Sequence, residues 1–472
     1  MPVPVAAFTA QFVAQALGLN PADYPSLEFS GVTSDTRADV AGSLFVAIRG
    51  ERFDGHQFID AAVAGGAAGL LVDREVAASG SASVFNVDDT LAGWRSIAGA
   101  WRQRFDLPVV GIGGAVGKTT TKNLLTAMLS ARFSRVLATE GSRNGYLGLA
   151  MTLSALRPAH DAAVIEIGID APGAMAAHAE LVRPEMALVT AIGVEHLDAL
   201  GDVETVAAEE CRLLDWTAAH GGTVFIHDND DWLRPRLACY ANANCVRYGF
   251  GDERGGPDVL RARIKGRQLL LDGLGLKQAA VPLPLPGRHN ALNVLAAATV
   301  ARRLGLNDTD MRTGLAAFEP DATRSKRVEL AGGVTVLADY YNASPLSMRA
   351  ALATLAEFGP RRRWLCLADM LELGPDELEW HRALAEPIQA LAAHGVLLYG
   401  RRMSALAEAL RAAGFAGELR SFDDKATLAE FLKARLAPGD AVLIKGSRGM
   451  AMEDVMARLG GPLWTSITPK PK

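Results

Sequence analysis

Residues 107–132 read LPVVGIGGAVGKTTTKNLLTAMLSAR, and the interpretation of the whole chain depends on this stretch. A short apolar run over 108–112 predicts a buried strand, a glycine-rich turn follows over 113–117, and helical spacing begins at Lys118. The backbone N–H groups of a turn that enters a helix form an anion site. A lysine there can reach the outer phosphates of a nucleotide, and the hydroxyl of Thr119 suits Mg²⁺. The stretch therefore predicts a phosphate-binding loop.

This loop departs from the general P-loop pattern at one position. That pattern has a glycine five residues before the glycine of the Gly-Lys pair, where this chain has Ile112. Because strand–glycine–helix turns are common in α/β folds, a plain structural turn is the alternative interpretation. Gly-Lys-Thr-Thr directly after a buried strand favours nucleotide binding. The loop residues predicted to bind nucleotide are Gly114, Gly117, Lys118, Thr119 and Thr120.

The bulk properties of the chain exclude several classes of protein. The net charge of −5 gives no sign of a nucleic-acid-binding surface. Four scattered cysteines without a Cys-x-x-Cys pair fit reduced thiols rather than disulfides or a zinc site. The apolar runs are short and interrupted by charge, and the N-terminus lacks the layout of a signal peptide. We therefore expect a cytoplasmic protein that does not span a membrane.

The order of predicted strands and helices indicates an α/β protein with three domains, and 472 residues suit about three. The predicted domains cover residues 1–105, 106–318 and 319–472. We expect the central domain to be a doubly wound, mostly parallel sheet that carries the phosphate loop. The C-terminal domain is expected to be a second, Rossmann-like α/β unit.

Candidate ligand residues follow the predicted central strands, where parallel α/β sheets bind their ligands. Glu166 ends the apolar run AAVIEIG, and a buried carboxylate needs a partner such as Mg²⁺. His196 follows another strand; a lone histidine is more often structural, but this one falls at the ligand edge. Asn290 and Asn293 begin an alanine-rich helix, where their amides could cap the helix or read a nucleobase.

Polar residues also collect in the flanking domains. In the first domain they lie near residues 34–37 and 52–56, where they fit either turn chemistry or a surface that grips a polar, anionic ligand. In the third domain, clusters begin at Asp339, Asp369 and Lys445, each directly after a predicted strand. We expect these to form a second ligand-binding face, opposed to the first across a hinge near Arg324.

Seven motifs resemble the Mur ligase family, in order and over nearly the whole chain: SDTR…GSLFVAIRGERFDGHQFI, GKTTTK, AVIEIG, PGRHNALN, DYYNASPLSM, DMLELG and LIKGSRGMAME. DYYNASPLSM and DMLELG are more typical of the branch that adds D-alanyl-D-alanine to UDP-N-acetylmuramoyl-tripeptide than of the branch that adds the third residue. The resemblance implies an enzyme that uses ATP and Mg²⁺ and activates the tripeptide as an acyl phosphate. We expect it to act as a monomer.

The resemblance also implies roles for individual residues. Lys118 would hold the phosphates, Thr119 and Glu166 the first Mg²⁺, and His196 would lie by a second Mg²⁺. The implied catalytic set is Lys118, Glu166, His196 and Glu210. The residues implied at adenine, phosphate and ribose are Asn290, Arg324 and Asp339. Those implied near the UDP-sugar, the peptide or the dipeptide are Ser34, Thr36, Arg37, Arg52, Asp54, His56, Asn144, Tyr341, Asn342, Lys445 and Ser447.

Four departures from the family pattern fall near the chemistry. Gly113 replaces the first hydroxyl residue of a loop that usually reads Thr-Gly-Ser/Thr-x-Gly-Lys-Thr, and Glu195 replaces the usual alanine before the histidine. Asn144 is the one asparagine left of three in a neighbouring loop. Glu210 takes the position of a lysine that the family modifies to a carbamate. Its side chain is shorter, so we expect it to help hold a second Mg²⁺ only if the helix shifts or water bridges the gap.

These observations favour an ATP-dependent amide ligase, because the motifs of all three domains are present. The clustered departures keep two alternatives open. One is a diverged paralogue with weak or no ligase activity, acting as a binding or regulatory partner. The other is a Mur-type ligase that joins different substrates.

Overall fold

The computed structural model describes residues 8–50, 53–76, 80–359 and 361–461. Within these residues the strands form three sheets, with four, nine and six strands. The first sheet is parallel throughout, and its strands are adjacent in chain order. They are β1 (Val32–Thr33), β2 (Leu44–Val46), β3 (Gly69–Val72) and β4 (Ser83–Asn86).

The nine-stranded central sheet has the order β13-β12-β11-β10-β9-β8-β5-β7-β6. Its strands pair in parallel from β6 to β11, while β12 and β13 add an antiparallel end. These strands are β5 (Val109–Gly113), β6 (Val136–Ala138), β7 (Ala162–Glu166), β8 (Met186–Val189), β9 (Thr223–His227), β10 (Asn244–Phe250), β11 (Val259–Lys265), β12 (Gln268–Gly273) and β13 (Leu276–Pro282).

Both faces of the sheet are buried at β5, β7, β8 and β9, which explains why these four strands are mostly apolar. Successive side chains of a strand point to opposite faces. In β7, Ala163 and Ile165 belong to one apolar core, while Ala162 and Val164 belong to another. The first core includes helices of the N-terminal part, and the second includes the helix that follows the phosphate loop.

The six-stranded sheet has the order β14-β15-β19-β16-β17-β18 and is parallel except for β14. Its strands are β14 (Lys326–Leu330), β15 (Val334–Ala338), β16 (Arg363–Ala368), β17 (Gly395–Tyr399), β18 (Glu418–Phe422) and β19 (Ala441–Lys445).

The α-helices connect these strands and cover the sheets. In chain order they are α1 (Ala10–Ala16), α2 (Ile59–Ala64), α3 (Thr90–Arg102), α4 (Lys118–Leu129), α5 (Tyr146–Ser154), α6 (Ala174–Val182), α7 (Leu197–Leu200), α8 (Val203–Ala219), α9 (Arg288–Arg303), α10 (Asp308–Ala316), α11 (Pro345–Ala356), α12 (Glu377–Arg382), α13 (Ala385–Ala390), α14 (Met403–Ala412), α15 (Lys425–Arg435) and α16 (Glu453–Arg458). Short 3₁₀ turns cover Pro21–Asp23, Gly55–Phe58, Arg234–Tyr240 and Arg448–Met450.

Strand register brings three predicted ligand segments to one edge of the central sheet. Ile112 pairs with Glu166 of β7, and Gly113 pairs with Val189 of β8. The phosphate loop, the carboxylate of Glu166 and the segment from residue 190 to His196 therefore meet where these strands end.

The predicted fold class is confirmed: the protein is α/β, with a mostly parallel, doubly wound central sheet and a second Rossmann-like unit. The boundaries at residues 105 and 318 stay a prediction. Along the described ranges, no helix is both long and apolar enough to cross a membrane.

Candidate active site

Two glycines set the shape of the phosphate loop between β5 and α4. Gly114 and Gly117 have φ values of +116° and +93°, a backbone region that favours glycine. A Cβ at residue 117 would also lie 2.6 Å from Oδ1 of Asn293. The Thr190 hydroxyl donates to the carbonyl of Val116 at 2.6 Å and fixes the middle of the loop.

Lys118, the first residue of α4, points back over the loop. Its Nζ donates to the carbonyl of Gly114 and to Glu195 Oε1, the latter at 3.1 Å. Burial disfavours the charged amine, but the negative charges of Glu195, Glu210 and Glu166 outweigh it and raise the pKa of Lys118. Lys118 is therefore held as a cation at the loop.

Glu166 lies at the end of β7 and is 1% exposed. Its Oε1 accepts hydrogen bonds from the Thr119 hydroxyl at 3.0 Å and from Nδ2 of Asn144 at 2.7 Å. Its Oε2 has no hydrogen-bond partner among the described residues, although Nζ of Lys122 lies 3.7 Å away. Asn144 therefore orients this carboxylate, and its predicted contact with a substrate stays a prediction.

Glu210, on α8, reaches the phosphate loop directly. Its Oε2 accepts a hydrogen bond from the Gly114 N–H at 2.6 Å. The expectation that Glu210 holds a second Mg²⁺ only after a helix shift or through water stays a prediction. The carboxylate is fully buried, and its Oε1 has no hydrogen-bond partner in the described part of the chain. Burial raises the pKa of Glu210 to about 7, although the positive charge of Lys118 opposes that shift.

His196 joins the central sheet to the C-terminal part. It has a left-handed backbone, with φ of +52°, and its Nδ1 lies 2.7 Å from Glu372 Oε2. That contact raises the pKa of His196 against the effect of burial. Two backbone contacts continue the junction: the Leu197 N–H donates to the Glu372 carbonyl at 3.0 Å, and the Gly374 N–H donates to Asp198 at 2.8 Å.

Arg324 makes a second junction between the two parts. Its Nη2 donates to the Ser142 hydroxyl at 3.1 Å, two residues before Asn144. Its guanidinium lies 3.9 Å from the ring centroid of Tyr341. The Ser142 hydroxyl in turn lies 3.5 Å from the Thr119 hydroxyl, so the guanidinium is connected to the phosphate-loop helix. Contact of Arg324 with phosphate stays a prediction.

Several residues predicted at the substrates are bound to the protein itself. Asp339 pairs with Nζ of Lys445 at 2.7 Å and accepts from the Ser325 N–H at 3.0 Å. Lys445 also donates to the Asn342 carbonyl at 2.9 Å. Ser447 accepts from the Leu371 N–H at 2.9 Å. These contacts connect the ends of neighbouring strands and fix the loops that follow them.

The amide of Asn290 serves the start of α9. Its Nδ2 donates to the Pro286 carbonyl at 2.7 Å, and its Oδ1 accepts from Nδ2 of Asn293 at 3.2 Å. This bond ties the helix to the loop before it, but it does not cap the helix, because α9 has no side-chain cap hydrogen bond. Contact of Asn290 with a nucleobase stays a prediction. Thr120 lies partly exposed on the first turn of α4.

The N-terminal candidates lie on loops of the first sheet. Arg37 is exposed and pairs with Asp35 at 2.7 Å, beside the partly exposed Ser34 and Thr36. His56 is buried between Asp54 and Asp73, with its ring nitrogens 2.8 Å and 3.2 Å from their carboxylates. It therefore supports the loop, and its predicted contact with the UDP-sugar stays a prediction. Arg52 lies outside the described residues.

Lys122 is a site residue that the sequence analysis missed. It is 2% exposed, and its amine donates to the carbonyls of Thr139 and Gly141 at 2.6 Å and 2.8 Å. It thereby holds the loop that carries Asn144 against Glu166. Its position one helical turn after Lys118, on the same face of α4, was the available signal.

The residues around Glu166 fit a magnesium ion that shares its coordination with a nucleotide. No three His, Cys, Asp or Glu side chains of the described chain converge closely enough to hold a metal by themselves. Mg²⁺ is typically bound through one or two carboxylates together with phosphates and water. The unpartnered, buried Oε2 of Glu166 and the adjacent Thr119 hydroxyl match that requirement.

Three sequence profiles match the chain in the expected order. Residues 28–92 match the Mur ligase family catalytic domain, 112–301 the Mur ligase middle domain, and 323–448 the Mur ligase glutamate ligase domain. Together they cover every segment that supplies the site described above.

Individual proteins agree with the profiles. The UDP-N-acetylmuramoyl-tripeptide–D-alanyl-D-alanine ligase of Synechocystis sp. is 36% identical over 442 residues, covering 93% of this chain and 94% of that protein. The enzyme of the same name from Escherichia coli is 34% identical over 439 residues, covering 92% and 94%. A crystal structure of MurF from Acinetobacter baumannii superposes with a TM-score of 0.85 at 28% identity, covering 97% of this chain and 99% of that one. The chain therefore belongs to the Mur ligase family and, within it, to the MurF type.

Proposed function

We propose that the protein joins D-alanyl-D-alanine to UDP-N-acetylmuramoyl-tripeptide, with ATP converted to ADP and phosphate. The observation that carries this proposal is the arrangement of Lys118, Thr119 and Glu166 around one loop at the edge of the central sheet. It supplies a phosphate cation and a carboxylate–hydroxyl pair suited to Mg²⁺. The relatives named above are ligases of this type.

In the proposed reaction the terminal carboxylate of the tripeptide attacks the γ-phosphorus of ATP, and ADP leaves. The amine of D-alanyl-D-alanine then attacks the acyl carbon, loses a proton, and displaces phosphate. Lys118 would neutralise the transferring phosphoryl group, and the loop N–H groups would orient it. A bound Mg²⁺ would supply further neutralisation of phosphate charge.

Arg324 would act from the C-terminal side of the same site. Its guanidinium is held between the Ser142 hydroxyl and the Tyr341 ring, so it needs little reorganisation to meet a phosphate. The junctions at His196 and Arg324 would bring the loops after β15, β16 and β19 over the nucleotide. There they would position the amino substrate. They would also exclude water, which would otherwise hydrolyse the acyl phosphate.

Phosphate release by the purified protein tests the proposal. The assay contains ATP, Mg²⁺, UDP-N-acetylmuramoyl-tripeptide and D-alanyl-D-alanine, and each is omitted in turn. Release that needs all four, with the pentapeptide product found by mass, is the expected result. Release without the pentapeptide product would point to different substrates, and nucleotide binding without any release would point to a non-catalytic relative.

Lys118→Ala tests the site assignment. Loss of this cation should lower turnover by at least about a hundredfold, as losses of preorganised charge stabilisation typically do. Arg132→Ala is a matched control, because Arg132 is an exposed cation just beyond the end of α4. Near-normal turnover in Lys118→Ala would contradict the assignment. Monomeric and cytoplasmic action stay predictions from the sequence.

A further inference from the structure

The phosphate loop already holds two carboxylates of its own chain. Glu195 lies 3.1 Å from Nζ of Lys118, and Glu210 accepts the Gly114 N–H at 2.6 Å. A lysine amine and loop N–H groups are the donors that such a loop offers to phosphate. Glu195 and Glu210 therefore occupy donors that a nucleotide would use.

Residue 113 makes room for one of these carboxylates. A Cβ at Gly113 would lie 2.5 Å from Oε2 of Glu210, closer than real Cβ contacts come. The backbone of Gly113 does not have a positive φ, so space rather than conformation explains the glycine. The lack of a side chain at residue 113 thus leaves the space that the carboxylate of Glu210 occupies.

The local charge is unfavourable for a further anion. Lys118 faces the carboxylates of Glu195, Glu210 and Glu166, and Lys122 is committed to two carbonyls beside Glu166. At Lys118 itself, a phosphate that approached alone would meet one ammonium group and three carboxylates, because Arg324 is bound at Ser142 and Tyr341. Unit charges about 4 Å apart in partly buried surroundings repel by several kcal/mol, so the sign of this balance matters for affinity.

Two buried carboxylate oxygens also point to a cation. Oε1 of Glu210 and Oε2 of Glu166 lack hydrogen-bond partners among the described residues, although both side chains are at most 1% exposed. A buried polar atom without a partner is costly. Because carboxylate oxygens are the ligands that divalent cations prefer, a cation bound at either carboxylate would supply the missing partner.

We propose that Glu195 and Glu210 couple nucleotide binding to divalent cations by occupying the phosphate loop until a cation accompanies the nucleotide. With the cation present, the carboxylates have a partner, and Lys118 and the Gly114 N–H become available to phosphate. This inference deepens the proposed function, on which it rests for the identity of the nucleotide as ATP.

Calorimetric titration of the full-length protein with ATP tests the coupling, once with excess Mg²⁺ and once with EDTA. The variants are Glu195→Gln, Glu195→Ala and Glu210→Gln, each of which removes one carboxyl group, and the titrations are run at pH 8, above the pKa of Glu210. Glu204→Gln is the control, because Glu204 is an exposed acid on the same helix as Glu210. Thermal melts check that each variant is folded. Glu195→Ala does not alter α8, the helix that carries Glu210, so it tests the proposal even if Glu210→Gln fails to fold.

The expected result is a wild-type Kd for ATP that is about a hundredfold higher in EDTA than in Mg²⁺. Each variant at residue 195 or 210 should bind ATP about tenfold more tightly in EDTA, which corresponds to roughly 1.4 kcal/mol. The ratio of the Kd in EDTA to the Kd in Mg²⁺ should therefore fall about tenfold. Glu204→Gln should keep the wild-type ratio. A wild-type ratio in both Glu195→Gln and Glu210→Gln would overturn the proposal.

This outcome is separable from that of the proposed function, because the titration contains neither the tripeptide nor the dipeptide. Cation-coupled ATP binding without pentapeptide formation would contradict the ligase and leave the coupling intact. Full ligase activity of the wild type, together with wild-type Kd ratios in the variants, would contradict the coupling and leave the ligase intact. Absence of ATP binding by the wild type with Mg²⁺ would contradict both.

Discussion

Oε2 of Glu210 lies 2.5 Å from the point that a Cβ of residue 113 would occupy, so the carboxylate fits at the phosphate loop because residue 113 is glycine. The two residues are far apart in the chain and meet through the packing of α8 beneath β5. Glu210 could be aligned with the family's modified lysine from the sequence, but its contact with the loop could not be predicted there.

Gly113→Ala is expected to destabilise the protein by about 1 to 3 kcal/mol, because the added methyl group forces the Glu210 carboxylate away from the Gly114 N–H. The cost should nearly vanish when Glu210→Ala is already present. Urea unfolding of the two single variants and the double variant measures this coupling. Gly256→Ala is the control, since a Cβ there meets nothing within 4 Å and the backbone has no positive φ. Additive effects at 113 and 210 would contradict the contact.

Stability should depend on pH through Glu210. Burial raises the pKa of this group to about 7, so the folded protein keeps a proton that the unfolded chain releases at lower pH. The stabilisation is present below the unfolded-state pKa and is lost as the pH rises through 7. Relative to Glu210→Gln, the wild-type free energy of unfolding in EDTA should fall by up to about 3 kcal/mol between pH 5 and pH 8. Parallel pH profiles of the two proteins would refute the burial of a titrating acid.

Asn144→Ala should weaken the magnesium site without removing a metal ligand. The Asn144 amide holds Oε1 of Glu166 at 2.7 Å, and loss of a hydrogen bond to a charged group costs about 1.5 to 3 kcal/mol. The Mg²⁺ concentration for half-maximal phosphate release is expected to rise about tenfold or more. Arg143→Ala is the control, because its side chain pairs with the exposed Glu140 instead. Equal Mg²⁺ dependence of the two variants would show that Asn144 does not position Glu166.

Glu372→Ala should loosen the junction between the central and C-terminal parts. Its carboxylate is 60% exposed where it meets His196, so the loss is that of a solvent-exposed ion pair, about 1 kcal/mol or less. We expect kcat/KM for the dipeptide to fall about two- to fivefold. The Kd for ATP with Mg²⁺ should stay unchanged. Glu379→Ala, which breaks an exposed pair within α12, serves as the control and should change neither quantity.

The sequence predicted the elements whose signals are local. The short apolar run over 108–112 predicted a buried strand, and β5 covers Val109–Gly113, one residue further along the chain. The helix after the phosphate loop begins at Lys118 as predicted, since Gly117 both ends the turn and precedes helical spacing.

Contacts between distant segments could not be predicted in this way. Asn144 was placed at the substrates, although the packing of its loop brings it to Glu166. Lys122 resembles an ordinary helical lysine until the loop that it holds is known. The same holds for His56, whose two carboxylate partners come from separate segments. Tertiary partners, rather than residue type, decide these roles.

The most direct test of the proposed chemistry follows one oxygen atom. UDP-N-acetylmuramoyl-tripeptide labelled with ¹⁸O in its terminal carboxylate is incubated with ATP, Mg²⁺, D-alanyl-D-alanine and the protein, and the released phosphate is analysed by mass spectrometry. Activation as an acyl phosphate predicts one ¹⁸O atom in each phosphate released from fully labelled substrate, because the carboxylate oxygen that attacks phosphorus leaves with it. Pentapeptide formation with unlabelled phosphate would contradict that route.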